Sequence, residues 1–262
     1  MSNVLEIICA NKRREVALQK EAIHISYLEY VLSFQQREKI SFKRALAVSD
    51  SGIIAEFKRR SPSKGWINTD ADVMSIVQDY ETSGAAAVSC LTDEKFFGGN
   101  FEDFKKARAV ISKIPLLRKD FIVDEYQLYQ SKLMGADVIL LIAACLTQEE
   151  TARFTEIAHE LDMEVLLEIH SEEELAYIQP DIDVIGINNR NLKTFETDIR
   201  HTIELANKIP GTFLKISESG LSNPQTVIDL RKKGFKGFLM GENFMKTAQP
   251  GEALKNFINE IV

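Results

Sequence analysis

A short apolar stretch near residue 55 carries two charged side chains of opposite sign. The sequence over residues 53–65, IIAEFKRRSPSKG, begins as an apolar run and ends in a polar loop. Alternate residues of a strand point to the same face, so Glu56 and Lys58 leave such a strand together. Burying a carboxylate and an ammonium is costly unless they pair or act on a ligand. The loop adds the Ser61 hydroxyl and further donors, so the stretch predicts either a structural ion pair or part of a site for an anionic ligand.

Polar side chains also stand at the ends of other apolar runs. Lys119 and Glu168 end two of them, and Asn188 and Arg190 end a third. If the runs are parallel strands, their carboxyl ends meet at one edge, and two lysines and two glutamates converge there. A single lysine at such an edge most often forms a salt bridge, whereas this convergence favours general acid–base chemistry.

The elements that position these residues alternate between β and α patterns. Eight apolar runs of β type cover residues 53–57, 85–91, 114–117, 136–144, 163–169, 183–188, 212–216 and 236–240. Helical patterns lie between them; Thr147, for example, opens the capping box TQEE. Strict alternation predicts a parallel sheet, and eight units predict an α/β fold of the (β/α)8 TIM-barrel type. The alternative, an open doubly wound sheet, would carry a G-x-G-x-x-G turn after its first strand, which this sequence lacks.

Residues 1–50 precede the first predicted strand and have helical patterns at residues 4–18, 25–34 and 42–48. A length of 262 residues suits one barrel, so we expect a single (β/α)8 domain over residues 1–262 with an N-terminal helical extension. We expect the segment over residues 25–48 to lie over the catalytic end of the barrel. Phe42 or Leu46 would then shield a bound aromatic ring from water.

The loops after the last two runs predict a phosphate site. Ser219 and Gly220 follow the seventh run, and Gly241 and Glu242 follow the eighth. Barrels of this type often hold a phosphate after strands seven and eight, with backbone N–H groups and a short helix as donors. Ordinary tight turns are the alternative interpretation of these glycines.

Composition excludes several classes of function. A net charge of −7 argues against a nucleic-acid partner, which needs a basic face. No apolar run approaches the roughly 20 residues of a membrane span, and the N-terminus lacks an apolar targeting core, so we expect a cytoplasmic protein with no membrane partner. The four histidines show no metal-ligand spacing, so we expect no metal. Cys90 and Cys145 lie in apolar runs and are predicted to be inert buried thiols, as a reducing cytosol would keep them.

The ordered motifs resemble the indole-3-glycerol phosphate synthase family. The similarity begins at IAEFKRRSPSKG over residues 54–65 and continues through LTDEKFFG at 91–98 and LRKDF at 117–121. It extends to Glu168, GINNR at 186–190, SESG at 217–220 and Gly241, and thus spans nearly the whole chain. Two residues depart from the family's frequent ones, with Asn191 in place of Asp and Glu242 in place of Ser.

This resemblance implies a phosphorylated small-molecule substrate, 1-(2-carboxyphenylamino)-1-deoxyribulose 5-phosphate. The aromatic carbon that bears the carboxylate would attack the C2 carbonyl, and carbon dioxide and water would leave to give indole-3-glycerol phosphate. Lys119 is the preferred proton donor, Glu168 or Glu56 the base, and Lys58 an anion-binding group. The electrons move within the substrate, so no cofactor is required.

The residues that the resemblance assigns fall into two groups. The predicted catalytic residues are Glu56, Lys58, Lys119, Glu168, Asn188 and Ser219. The predicted substrate- and phosphate-binding residues are Ser61, Arg190, Gly220, Gly241 and Glu242. For Glu242 the role is confined to its backbone N–H, since the side chain offers no hydroxyl.

Two other functions are alternatives to this one. The first is another phosphate-binding barrel enzyme such as phosphoribosylanthranilate isomerase. Its family resemblance would imply a Cys/Asp acid–base pair on early strands, whereas the first run here offers Glu56 and Lys58 and no cysteine. A non-catalytic metabolite-binding barrel would be favoured by a missing charged residue, and none of the four is missing. For the protein as a whole we expect a monomer or a weak homo-oligomer.

Overall fold

The computed structural model describes residues 4–190 and 197–262, and a closed parallel barrel lies within them. Its strands, with one small hairpin, are β1 (Ile53–Phe57), β2 (Arg60–Ser61), β3 (Gly65–Trp66), β4 (Ala87–Leu91), β5 (Leu116–Lys119), β6 (Val138–Ile142), β7 (Glu164–Ile169), β8 (Val184–Asn188), β9 (Leu214–Glu218) and β10 (Gly237–Met240). Strands β1 and β4 to β10 pair in chain order, and β10 closes onto β1. The predicted (β/α)8 barrel is therefore confirmed, and β2 and β3 form an antiparallel hairpin in the loop after β1.

Helices precede the barrel and surround it. They are α1 (Val4–Ala22), α2 (Ile25–Leu32), α3 (Phe42–Val48), α4 (Val73–Thr82), α5 (Glu94–Phe97), α6 (Phe101–Val110), α7 (Tyr126–Leu133), α8 (Gln148–Glu160), α9 (Ile199–Ala206), α10 (Pro224–Lys232), α11 (Glu242–Met245) and α12 (Pro250–Ile261). The predicted capping box is present, because Thr147 and Glu150 cap each other's backbone N–H at the start of α8. None of the helices that the structure describes is both long and apolar enough to cross a membrane.

Two strands run further than their apolar runs predict. Strand β5 continues through Lys119, and β9 continues through Glu218, each two residues beyond the predicted end. Apolar patterning misses these ends because the last two residues of each strand are charged or polar. The shift matters, since it places Lys119 and Glu218 on the strands themselves.

The N-terminal extension covers both ends of the barrel, and the prediction for its second half was wrong. The backbone N–H of Lys43, in α3, donates to Glu164, the first residue of β7. The N–H of Ile40 donates to Asp137, just before β6. Phe42 and Leu46 are fully buried in the apolar cluster inside the barrel. Residues 40–48 therefore close the amino-terminal end, opposite the catalytic one, because carboxylates at the strand starts bind their backbone.

Helix α1 lies over the carboxyl-terminal end instead. Lys12 forms ion pairs of 3.0 and 3.1 Å with Asp93 and Asp120, which follow β4 and β5. On the same face of α1, Leu5 and Ile8 are buried in the cluster that fills the barrel. Spacings of three and four residues between these positions give one buried stripe. At this end of the barrel the apolar contacts therefore come from α1 and not from Phe42 or Leu46.

Candidate active site

A cavity of about 510 Å³ opens at the carboxyl-terminal ends of β1, β5, β9 and β10. Eight of the eleven predicted site residues line it: Glu56, Lys58, Lys119, Arg190, Ser219, Gly220, Gly241 and Glu242. Glu168 and Asn188 adjoin these residues through hydrogen bonds. Ser61 is buried in the β2–β3 hairpin, and Ser63 lines the cavity in its place.

Lys119 is the cation at the centre of the site. Its Nζ lies 3.2 Å from Glu168 Oε2 and 3.6 Å from Glu218 Oε2. Burial by itself would lower the pKa of Lys119, but the charge of Glu168, with smaller effects of Glu218 and Glu56, outweighs it and raises that pKa above its usual range. The side chain is therefore protonated at neutral pH, and it lines the cavity.

Glu168 is the carboxylate that several donors hold ionised. Its Oε1 accepts a 3.1 Å hydrogen bond from Asn188 and lies 3.1 Å from His170 Nε2. Burial would raise the pKa of Glu168, but Lys119, His170 and Asn188 together lower it below its usual range. Burial likewise opposes the charged form of His170, yet Glu168 and Glu174 raise the pKa of that imidazole to about 9. The carboxylates of Glu168 and Glu174 and the cations Lys119 and His170 thus form one connected cluster.

Glu218 is a site residue that the sequence analysis did not assign. It is almost fully buried, and within the described residues neither carboxylate oxygen accepts a hydrogen bond. Burial, followed by the negative charge of Glu168, raises the pKa of Glu218 to about 8. The side chain fills the space where Gly186 lacks a Cβ, so the glycine of the GINNR motif makes room for it. The signal available in the sequence was its position in the SESG motif, two residues beyond the apolar run.

Glu56 and Lys58 form an ion pair at the end of β1, as their spacing predicts. Lys58 Nζ lies 2.5 Å from Glu56 Oε1, and Lys58 keeps part of its surface open to the cavity. A Cβ on Gly241 would come within 2.7 Å of the same carboxylate oxygen. Gly241 therefore has a second physical reason to be glycine, which is the close approach of Glu56 to the backbone after β10.

The opposite wall of the cavity offers donors to an anion. Arg190 donates to Ser63 Oγ at 3.0 Å, and its Nε finds no acceptor among residues 4–190 and 197–262. Ser219 has the unusual backbone angle φ of 70° and, with Gly220, forms the loop after β9. Lys64 and Lys246 also line this wall, and the Lys64 ammonium lies 3.8 Å from the Glu242 carboxylate. Asn191, the departure from the family pattern, lies outside the described residues.

Among residues 4–190 and 197–262, no three His, Cys, Asp or Glu side chains are arranged to hold a metal ion.

Fold and site together define a (β/α)8-barrel enzyme with a lysine–carboxylate cluster beside a cavity suited to an anionic substrate. A family model described as indole-3-glycerol phosphate synthase matches residues 5–257. The chain is 57% identical over 261 residues to the indole-3-glycerol phosphate synthase of Bacteroides thetaiotaomicron, with all of both chains covered. It is 41% identical to that of Polaromonas naphthalenivorans, over 99% of this chain and 100% of the other. The chain belongs to the indole-3-glycerol phosphate synthase family.

Solved structures of lower identity share the fold. A 3-hexulose-6-phosphate synthase from Salmonella typhimurium aligns with a TM-score of 0.62 at 12% identity, over 80% of this chain and 98% of that one. A chain of the tryptophan synthase complex from Pyrococcus furiosus aligns with a TM-score of 0.59 at 18% identity, over 81% and 98%. At these identities the likeness concerns the barrel alone.

Proposed function

We propose that this protein is a carboxy-lyase that converts 1-(2-carboxyphenylamino)-1-deoxyribulose 5-phosphate to indole-3-glycerol phosphate, a step of tryptophan biosynthesis. The observation that carries the proposal is the Lys119 ammonium, held between Glu168 and Glu218 at the edge of the cavity. Ring closure onto a ketone needs a proton donor at this place, because the carbonyl oxygen gains negative charge as the new bond forms.

Substrate binding in this proposal divides between the two walls of the cavity. The phosphate lies against the backbone of Ser219, Gly220, Gly241 and Glu242, where Lys246 adds positive charge. The Nε of Arg190, for which the described residues offer no acceptor, and the ammonium of Lys58 hold the anthranilate carboxylate. The hydroxyl contact first predicted for Ser61 is assigned to Ser63, which lines the cavity and binds Arg190.

The first chemical step joins the aromatic carbon bearing the carboxylate to C2 of the sugar. Lys119 gives its proton to the C2 oxygen, and the carbon–carboxylate bond then breaks to release carbon dioxide and restore the aromatic ring. Once Lys119 is neutral, the charge that holds the Glu168 pKa down is gone. Glu168 then becomes the stronger base that dehydration requires.

The last step removes water from the ring-closed intermediate. The hydroxyl on former C2 leaves with a proton, and Glu168 takes a proton from the adjacent carbon, while Glu56 lies on the other side of the cavity. With a pKa raised to about 8, Glu218 keeps its own proton at neutral pH. It therefore serves as the reservoir that returns a proton to Lys119 or to the leaving hydroxyl. Asn188 fixes the Glu168 carboxylate for these transfers.

The remaining expectations belong to this same proposal. The chain acts as one barrel domain over residues 1–262, and α1 and α3 pack on that barrel's two ends. It acts in the cytoplasm, as a monomer or weak homo-oligomer, without cofactor, metal or nucleic acid. The isomerase alternative receives no support from the site, because β1 presents Glu56 and the nearest strand cysteine, Cys90, is wholly buried on β4.

The experiment is turnover of the synthetic substrate by the purified full chain. Appearance of indole fluorescence together with one carbon dioxide per product supports the proposal. Bound substrate that remains unchanged would favour a metabolite-binding barrel. Conversion of phosphoribosylanthranilate, with no indole formed from the first substrate, would favour the isomerase.

A further inference from the structure

Two cysteines from distant parts of the chain meet at the carboxyl-terminal end of the barrel. Cys9 lies on α1, and Cys145 ends the short 3₁₀ turn over Ala143–Cys145 that follows β6. Their sulfur atoms are 2.7 Å apart although the residues are separated by 136 positions. Both residues are half-buried and carry free thiols. Cys145 is half-buried and not fully buried as predicted, because β6 ends three residues before it and leaves its sulfur against α1.

The surroundings of the pair favour reaction at Cys9. The hydrogen bond with Cys145, followed by the nearby charge of Arg13, lowers the pKa of Cys9 against the opposing effect of burial. The same contact raises the pKa of Cys145. A thiolate is the reactive form of cysteine, and Arg13 stands one helical turn from Cys9 on α1, where its positive charge favours a thiolate. We therefore take Cys9 as the attacking sulfur and Cys145 as the resolving one. Closing the pair requires the sulfurs to move from 2.7 Å to the S–S bond length of about 2.05 Å.

We propose that Cys9 and Cys145 form a redox modification site, at which a hydroperoxide converts the two thiols to an intramolecular disulfide that fastens α1 to the barrel. With hydrogen peroxide, the Cys9 thiolate attacks one oxygen, the O–O bond breaks, and Cys9 becomes a sulfenic acid; the hydroxide that leaves takes up the proton that the thiol had lost and departs as water. The Cys145 sulfur then attacks the Cys9 sulfur and expels a second water. Two electrons pass from the two sulfurs to the peroxide, and the inference is independent of the proposed activity.

The disulfide would lock a contact that other residues of α1 already make. Arg13 donates to the Val123 carbonyl at 2.9 Å, and Lys12 binds Asp93 and Asp120 beside it. Together with the buried side chains of Leu5 and Ile8, these non-covalent contacts hold α1 on the rim. A covalent bond at Cys9 would prevent α1 from lifting, and it would close a long loop of the unfolded chain.

The test treats the full-length protein with hydrogen peroxide and maps its thiols. We expect two of the three thiols to disappear, a mass loss of two hydrogen atoms, and one peptide pair that joins Cys9 to Cys145. Cys90, which is fully buried, should keep its thiol, and Cys90→Ser is the matched control that still forms the bond. The oxidised protein should unfold at a higher denaturant concentration than the reduced one.

Variants at the pair separate the steps. Cys145→Ala should leave a sulfenic acid on Cys9 that a sulfenic-specific nucleophile traps, and Cys9→Ala should give no disulfide and no trapped product. Circular dichroism shows whether each variant is folded before it is treated. Three intact thiols after peroxide treatment, a disulfide between two chains, or a bond that involves Cys90 would each overturn the proposal.

Discussion

Replacing Lys119 with methionine is the perturbation that the site geometry describes in most detail. The substitution keeps the length and the apolar stem but removes the ammonium from between Glu168 and Glu218. Loss of a general acid lowers kcat by about 10²- to 10⁴-fold, which corresponds to about 2.7–5.4 kcal/mol of transition-state stabilisation. Substrate should still bind, because the predicted phosphate and carboxylate contacts are made by other residues.

The same substitution should also lower the free energy of unfolding. Removing one partner of a buried ion pair costs about 3–5 kcal/mol. Here we expect the lower end, about 3 kcal/mol, because Glu168 keeps Asn188 and His170 as partners and Glu218 holds a proton at neutral pH. The assay is indole fluorescence in single turnover, with urea unfolding measured in parallel.

Lys12→Met is the matched control for Lys119→Met. Lys12 is also a buried lysine between two carboxylates, Asp93 and Asp120, but it is not among the described residues that line the cavity. It should lose comparable stability and keep kcat within a few-fold. A folded Lys119→Met protein with near wild-type kcat would refute the assignment, and Lys58 would then be the proton donor.

Further predictions concern the cavity, the extension and the titrating groups. Inorganic phosphate should compete weakly with substrate through the loops at Gly220 and Gly241, and the absence of competition at tens of millimolar phosphate would contradict that site. Deleting residues 1–22 should raise KM and lower Tm, because α1 covers the rim. Phe42→Ala, at the other end of the barrel, should cost about 3–5 kcal/mol of stability and leave KM unchanged. An unchanged KM in a folded deletion variant would show that α1 is only a structural cover. The pKa of His170 is raised from 6.5 to about 9 in the folded protein. The charged imidazole therefore stabilises the fold fully below pH 6.5, and this stabilisation is lost as the pH rises through 9. The stability deficit of His170→Gln, up to about 3 kcal/mol, should therefore shrink over that window in urea titrations, and a pH-independent deficit would be inconsistent with the ion pairs. The infrared band of a protonated carboxyl should vanish with a midpoint near pH 8 and be missing from Glu218→Gln; a band lost below pH 6 would rule out Glu218 as the reservoir.

The sequence predicts the barrel and most of the site because both rest on local patterns. Alternating β and α periodicity determines the order of the elements, and the spacing of Glu56 and Lys58 places both on one face of β1. Parallel strands then bring Lys119 and Glu168 to the same end without any knowledge of long-range contacts.

What the sequence could not predict depends on contacts between distant residues. The helical patterns of the extension give no sign of which barrel end they cover, since both ends present apolar surface. Contacts between residues far apart in the chain determine which end each helix covers. Examples are the ion pair of Lys12 with Asp120 and the hydrogen bond from the Lys43 backbone to Glu164. Glu218 was missed for a similar reason, because its inward position depends on the space that Gly186 leaves on the neighbouring strand.

The most direct test of the central claim is a crystal structure of the protein with a substrate analogue whose C2 carbonyl is reduced to an alcohol. Such an analogue keeps the oxygen that receives the proton but cannot close the ring. We expect its C2 oxygen within hydrogen-bond distance of Lys119 Nζ, at about 2.7–3.2 Å, with its phosphate against Gly220 and Gly241. An analogue bound with that oxygen on Lys58 and remote from Lys119 would contradict the account.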